Sequence, residues 1–195
     1  MTLVAGFTLV ALGPTLQARL ASAIYAITSG LLFGISATYH RGTLGPRLAE
    51  VLRRFDHANI YLIIAGTYTP FALLALDGAA RVAVLAVIWG GALSGVLFRV
   101  FWMSAPRWLY TLLYLALGWT AIFVMPQLLE GAGVVAVVLV AVGGAFYTAG
   151  AIVYGLRRPD PSPGWFGYHE VFHAFTVAAY VVQYIAVSIV VYAHV

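Results

Sequence analysis

The sequence predicts an all-α integral membrane bundle, and three observations carry the prediction. Hydrophobic residues make up 63% of the 195 positions and charged residues only 8%, where a water-soluble domain carries about 25%. Mean hydropathy is +0.98, more apolar surface than a soluble core of this length can hide and well suited to a bilayer interior. The apolar residues fall into runs of spanning length, separated by short stretches of glycine, proline and arginine.

Taken in order, runs long enough to span occupy residues 19–40, 57–76, 82–103, 108–125, 134–155 and 169–192. A shorter run over residues 1–12 brings the expected number of transmembrane helices to seven. Twelve residues rise about 18 Å as a helix, short of a hydrocarbon core about 30 Å thick. The first helix is therefore expected to be a truncated one, and it lacks the basic segment and cleavage site of a signal peptide. Turn chemistry marks Gly13-Pro14, residues 42–46, Asp77-Gly78, Ala105-Pro106, Glu130-Gly131 and residues 159–164. No connection is long enough to separate domains, so a single seven-helix domain over residues 1–195 is expected. Gly30 with Gly34, and Gly91 with Gly95, form small-residue pairs that let helices approach closely. Pro70 and Pro126 are expected to kink or end helices, with Thr67 and Thr69 available to satisfy freed backbone groups.

The formal charge is +4, and all ten basic residues are arginine. In a soluble protein that balance can indicate nucleic acid. Here the arginines lie between apolar runs, so orientation in the membrane explains them and no nucleic-acid partner is expected. Alternate connections carry Arg41, Arg47, Arg53 and Arg54, then Arg99 and Arg107, then Arg157 and Arg158; the opposite connections carry Arg19 and Arg81. Basic loops stay cytoplasmic, which predicts a cytoplasmic N-terminus and places Tyr39, Trp102, Trp108, Trp165 and Tyr168 near the inner interface. Cysteine is absent, so disulfides and thiolate ligands are excluded and a transition metal needs histidine or carboxylate donors.

The remaining ionisable residues gather at the inner ends of three runs: His40 ends one, Asp56 and His57 open another, and His169, Glu170 and His173 open the last. Such groups are costly within a membrane and face a bundle interior or cavity. His169 and His173 are four apart and share a helical face at about 5–6 Å. With His40 they complete a three-histidine set that leaves the fourth tetrahedral position to water, as in catalytic zinc sites. Ser36 precedes His40 by one turn on the same face, and Asp56 is placed to hydrogen-bond a metal-bound water or a ligand histidine. A His-x-x-x-His pair also serves to reach lipid headgroups, and the convergence with His40 and Asp56 is what favours metal. His169-Glu170-Val171-Phe172-His173 matches the metalloprotease pattern H-E-x-x-H. Its third ligand would have to be His194, 21 residues beyond His173 and about 31 Å along a helix. That is out of reach, so the match is read as coincidental. His57 is read as structural or interfacial, His194 as an outer terminal residue without a partner, and Asp77, Glu130 and Asp160 as solvated loop residues.

At these residues the chain resembles the hemolysin III family, the bacterial branch of the progestin and adipoQ receptor superfamily. The segments that carry the resemblance are Ser36-Ala37-Thr38-Tyr39-His40, Phe55-Asp56-His57-Ala58-Asn59-Ile60, Ala65-Gly66-Thr67-Tyr68-Thr69-Pro70-Phe71 and His169-Glu170-Val171-Phe172-His173. The resemblance implies seven helices in a bacterial cell membrane, a cytoplasmic N-terminus and Zn2+ held on the cytoplasmic side by His40, His169 and His173. It also implies that Asp56 and Ser36 lie beside the zinc-bound water.

Three functions follow as expectations. The first is a zinc-dependent hydrolase of a lipid amide or ester, serving membrane lipid homeostasis. Asp56 would take the proton from water and Ser36 would help hold the oxyanion, on an acyl lipid entering from the bilayer. Related eukaryotic receptors are linked to ceramide hydrolysis, which supports this reading through the resemblance. The second is a non-enzymatic membrane sensor or regulator in which zinc is structural, which would need Asp56 as a fourth ligand. The third is a pore-forming hemolysin, for which the sequence offers neither an amphipathic strand hairpin nor a polar stripe.

Overall fold

The computed structural model describes residues 2–193. Met1 of the first run, and His194 with its expected place at the outer terminus, lie outside the described residues. Among the described residues the helices are α1 (Thr2–Leu12), α2 (Leu16–Arg41), α3 (Pro46–Ala75), α4 (Gly78–Phe101), α5 (Arg107–Gly118), α6 (Met125–Leu156) and α7 (Tyr168–Tyr192). A 3-10 turn, Trp119–Val124, joins α5 to α6.

Five stretches of the described residues are long and apolar enough to cross a membrane: Leu16–Arg41, Pro46–Ala75, Gly78–Phe101, Arg107–Leu156 and Tyr168–Tyr192. The protein is thus an all-α, multi-pass membrane protein. The departure from seven expected spans has two physical sources. One is α1, whose 11 residues rise only about 16 Å. The other is the stretch Arg107–Leu156, whose 50 residues follow one another without a loop although they are interrupted at Gly133; as a straight helix they would rise about 75 Å, more than twice a hydrocarbon core. Where Glu130-Gly131 is expected to form a turn, helical hydrogen bonding continues. The break falls instead at Gly133, whose φ of 78° and ψ of 162° are open essentially to glycine alone.

The chain divides into two compact units, Pro106–Ile189 and the remainder, which consists of α1 to α4 with the last turn of α7. In the first unit α3 is the central helix, with 61% of its apolar window buried against 33% for α2 and 28% for α4. Thr15 starts α2 by accepting the Ala18 N–H on its hydroxyl at 3.1 Å, and Gly42 ends it by donating its N–H to the Thr38 carbonyl. Antiparallel α2 and α3 are set in register by Gln17, which donates to the Leu73 carbonyl at 2.6 Å, and Asn59, which donates to the Leu31 carbonyl at 3.1 Å. Thr28 occupies the space a side chain at Gly66 would need.

Three contacts fix α4 on α3: Trp89 Nε1 donates to Thr69 Oγ1 at 3.1 Å, the Tyr61 ring lies against Gly95, and Arg54 donates to the Val100 carbonyl at 2.9 Å. Of the paired glycines, Gly30 and Gly95 make the close approaches expected, to Leu3 and Tyr61, while Gly34 faces open space. Pro70 does not end α3, which continues to Ala75. The Thr67 and Thr69 hydroxyls donate to the carbonyls of Ile63 and Ala65, not to that of Gly66, the acceptor left by the missing proline N–H.

Arg99, expected in an inner loop, lies in the last turn of α4 and is only 2% exposed. The buried residues Val84, Ile88, Ala92, Gly95 and Arg99 recur every three or four positions, so Arg99 belongs to the stripe α4 turns towards the core. The two arginines expected on the outer side are bound locally. Arg19 donates to the Gly13 carbonyl at 2.8 Å and Arg81 to the Leu76 carbonyl at 2.7 Å, closing the ends of α1 and α3. Arg81 also pairs with Asp77 at 2.8 Å, and the Asp77 side chain is 98% exposed, the solvated loop residue expected.

In the second unit Trp119 Nε1 donates to Thr148 Oγ1 at 3.0 Å, and Gln183 donates from α7 to the Val140 carbonyl at 3.2 Å. A side chain at Gly143 would collide with Gln183. The helices of this unit, like those of the first, approach where glycine makes room for a larger partner.

Candidate metal centre

The histidines of α7 are positioned by the way that helix begins. Asp160 Oδ1 accepts the Tyr168 N–H at 2.8 Å, and Glu170 Oε2 reaches back to accept the Gly167 N–H at 2.9 Å. The second contact is the reciprocal half of a capping box. Two backbone donors that the helix cannot satisfy internally thereby acquire carboxylate partners. Asp160 is thus a helix-start ligand and not only a solvated loop residue, and Glu170 is engaged with the backbone.

From that start, His169 and His173 project as expected from one face. Their Nε2 atoms are 3.0 Å apart and their rings stand nearly perpendicular, at 88° with centroids 4.6 Å apart. Both side chains are half-buried. At that separation one Nε2–H donates to the other Nε2, so the two rings carry different tautomers. Two nitrogens bound tetrahedrally to one zinc ion at 2.0–2.1 Å lie about 3.3 Å apart. Chelation would need a displacement of only a few tenths of an ångström, together with a change of tautomer that moves the shared proton off Nε2 and frees both lone pairs.

Aromatic rings wall this pair. Tyr154 lies 6.1 Å from His169 and 5.0 Å from Phe172, and the Arg107 guanidinium sits 4.8 Å over the Tyr154 ring while donating to the Tyr154 carbonyl at 3.3 Å. Tyr154 and Arg107 were not legible as neighbours of the site, because nothing in the spacing pairs α5 with the end of α6.

The other expected residues lie in the first unit. His40 is exposed in the last turn of α2, its ring edge-on to Tyr39 at 4.8 Å. Ser36, one turn earlier, and Asp56 on α3 are half-buried. The register that pairs Gln17 with Leu73 and Leu31 with Asn59 carries Ser36 opposite Arg54, within one turn of Asp56. His57 Nδ1–H donates to the Arg53 carbonyl at 2.8 Å, in keeping with a structural role.

Among the described residues, the imidazoles expected as metal donors are His40 in the first unit and the His169–His173 pair in the second. Three imidazoles with no thiolate and no carboxylate fit zinc, and as a set they leave one tetrahedral position open.

These features define a multi-pass α-helical membrane protein with a close histidine pair at the start of its last helix. The family model described as Haemolysin-III related matches residues 1–184, and the chain belongs to that family. It is 34% identical over 140 residues to Hemolysin-3 of Bacillus cereus, covering 72% of this chain and 64% of that protein. It is also 34% identical over 152 residues to a Hemolysin-3 homolog of Bacillus subtilis (strain 168), covering 76% of this chain and 67% of the relative. The chain therefore spans about two thirds of the length of these curated relatives. Family membership and the apolar helices together place it in the bacterial cell membrane as a multi-pass protein.

Proposed function

We propose that His40, His169 and His173 hold one zinc ion and that the protein is a hydrolase of acyl-lipid amides or esters, acting in membrane lipid homeostasis. The observation that carries this reading is the α7 pair, two imidazole Nε2 atoms 3.0 Å apart on a helix whose start is anchored by two carboxylates. Zinc in such a set polarises an acyl carbonyl and brings the pKa of a bound water towards 7. Asp56 is the carboxylate assigned to accept the proton from the attacking water, and Ser36, within one turn of it, the hydroxyl assigned to donate to the acyl oxygen. Both are half-buried, which suits a reaction partly shielded from bulk water.

In the same reading the N-terminus is cytoplasmic, and Arg107–Leu156 makes two passes that meet at Gly133. A structural zinc in a sensor is less well supported, because among the described residues the proposed ligands number three where a closed site needs four. A pore is less well supported still: the exposed side chains of α4 include Val82, Val87, Leu93, Leu97 and Phe101, which suit lipid and not a water-filled lumen.

The test is elemental analysis of detergent-purified protein, wild type beside His169→Ala/His173→Ala, followed by a screen of ceramide-like amides and acyl esters. About one zinc per wild-type chain, absent from the variant and required for acyl release, is expected. A folded wild type that takes up no zinc when supplied with it would sink the proposal.

A further inference from the structure

The N-terminal end of α3 carries a second candidate site that owes nothing to the histidines. The 30 residues of α3 rise about 45 Å, roughly 15 Å more than the hydrocarbon core needs. Arg47, Glu50, Arg53, Arg54, Asp56 and His57 all lie at its beginning, so the excess length emerges there, at headgroup depth.

This emergent segment is amphipathic and unusually bare. Leu48, Val51 and Phe55 are 51%, 46% and 45% exposed, at spacings that keep apolar groups along the helix, and Arg47 and Glu50 are exposed beside them. A groove of about 380 Å³ runs here, lined by Arg47, Glu50, Val51, Arg54, Phe55 and Val100. Part of its lining is fixed: Arg54 pairs with Glu50 at 2.6 Å and donates to the Val100 carbonyl at 2.9 Å, tying α3 to α4. Arg54 thereby neutralises Glu50, and the Arg47 guanidinium gives the lining a net positive charge.

We infer that this groove binds an anionic phospholipid, with the phosphate on Arg47 and an acyl chain along Val51, Phe55 and Val100. A guanidinium offers phosphate two parallel donors. The apolar side chains continue from the cation towards the hydrocarbon, which is the order of groups in a phospholipid and not in a soluble anion. Positively charged segments at this depth are drawn to anionic headgroups, and the Arg54 contacts that tie α3 to α4 give that general attraction a lining of defined shape.

The test is native mass spectrometry of the full chain in an uncharged detergent, titrated with phosphatidylglycerol, phosphatidylcholine or glycerol 3-phosphate. Phosphatidylglycerol is expected to bind at least about tenfold more tightly than phosphatidylcholine, and glycerol 3-phosphate not to compete. Arg47→Gln is expected to weaken phosphatidylglycerol about tenfold, the loss of one charge-assisted contact, and Arg47→Lys to restore part of it. Val51→Trp, which fills the groove and leaves every charge in place, is expected to weaken it similarly. Unchanged binding by Arg47→Gln or by Val51→Trp overturns the site, as does equal affinity for the two lipids. Competition by glycerol 3-phosphate at the lipid's own concentration would make it a plain anion site and overturn the lipid assignment. Zinc content is unaffected in all three variants if the proposal holds, so its failure is separable from failure of the metal centre.

Discussion

The two helix ends that bring histidine to the candidate centre are built differently. The beginning of α7 is pinned: Asp160 and Glu170 hold the backbone of Tyr168 and Gly167, while Tyr154 and Phe172 line the His169 ring. The end of α2 stops at Gly42 and leaves His40 exposed, with Tyr39 beside it. Ligands whose rotamers are already held contribute more to affinity, because binding does not have to order them. If the proposed centre holds zinc, the α7 pair is expected to contribute more to its affinity than His40.

The largest expected effect tests that asymmetry directly. His173→Ala, which breaks the preset pair, should weaken zinc binding by more than about 100-fold, beyond the range for outer-shell partners. His40→Ala should weaken it about tenfold, since the chelating pair survives. Competition against a chromophoric chelator measures both. Equal losses would mean that the α2 end is as well set as the α7 end. Stripping the metal with a chelator sharpens the same point. Amide hydrogen exchange should rise in the last turn of α2 and stay low in the first turn of α7, whose carboxylate contacts need no ion.

A second contrast lies within the first unit, between two glycines that look alike in sequence. A Cβ at Gly95 would strike the Tyr61 ring, whereas one at Gly34 meets nothing within 4 Å. Gly95→Ala should therefore destabilise by about 1–3 kcal/mol through overpacking. Gly34→Ala should stabilise by about 0.5–1 kcal/mol, the helical preference of alanine over glycine. Thermal unfolding in detergent measures both, and a loss at Gly34 would show a neighbour in the membrane that the chain alone does not supply.

How much of this was legible depended on which physical constraint was at work. The bilayer demands long apolar runs, so α2, expected over 19–40, and α7, expected over 169–192, were found at Leu16–Arg41 and Tyr168–Tyr192. The α3 helix was expected from His57 and begins at Pro46, because the apolar run ends at the charged residues while the helix continues through them as an amphipathic segment. The i, i+4 spacing of His169 and His173 was sufficient to predict that they share a face. The Gly133 break was hidden because Glu130-Gly131 is the stronger turn signal. The burial of Arg99 is visible only once Ile88, Ala92 and Gly95 are known to face the core. The Asp160 contact joins residues eight apart across a proline-rich loop, whose path no local pattern dictates.

The smallest expected effect discriminates most sharply between two meanings of one motif. In the H-E-x-x-H reading Glu170 is a general base, and Glu170→Gln should abolish hydrolysis because an amide cannot take a proton. In the structure the Glu170 carboxylate accepts the Gly167 N–H at 2.9 Å and is exposed, and glutamine fills that place in a capping box as readily as glutamate. Glu170→Gln should therefore leave zinc content, stability and acyl release nearly unchanged. Glu170→Ala, which removes the acceptor, should loosen the first turn of α7 and lower zinc affinity modestly. If glutamine abolished turnover while zinc stayed bound, the carboxylate would be doing chemistry. The proton assigned to Asp56 would then have to be reassigned to Glu170.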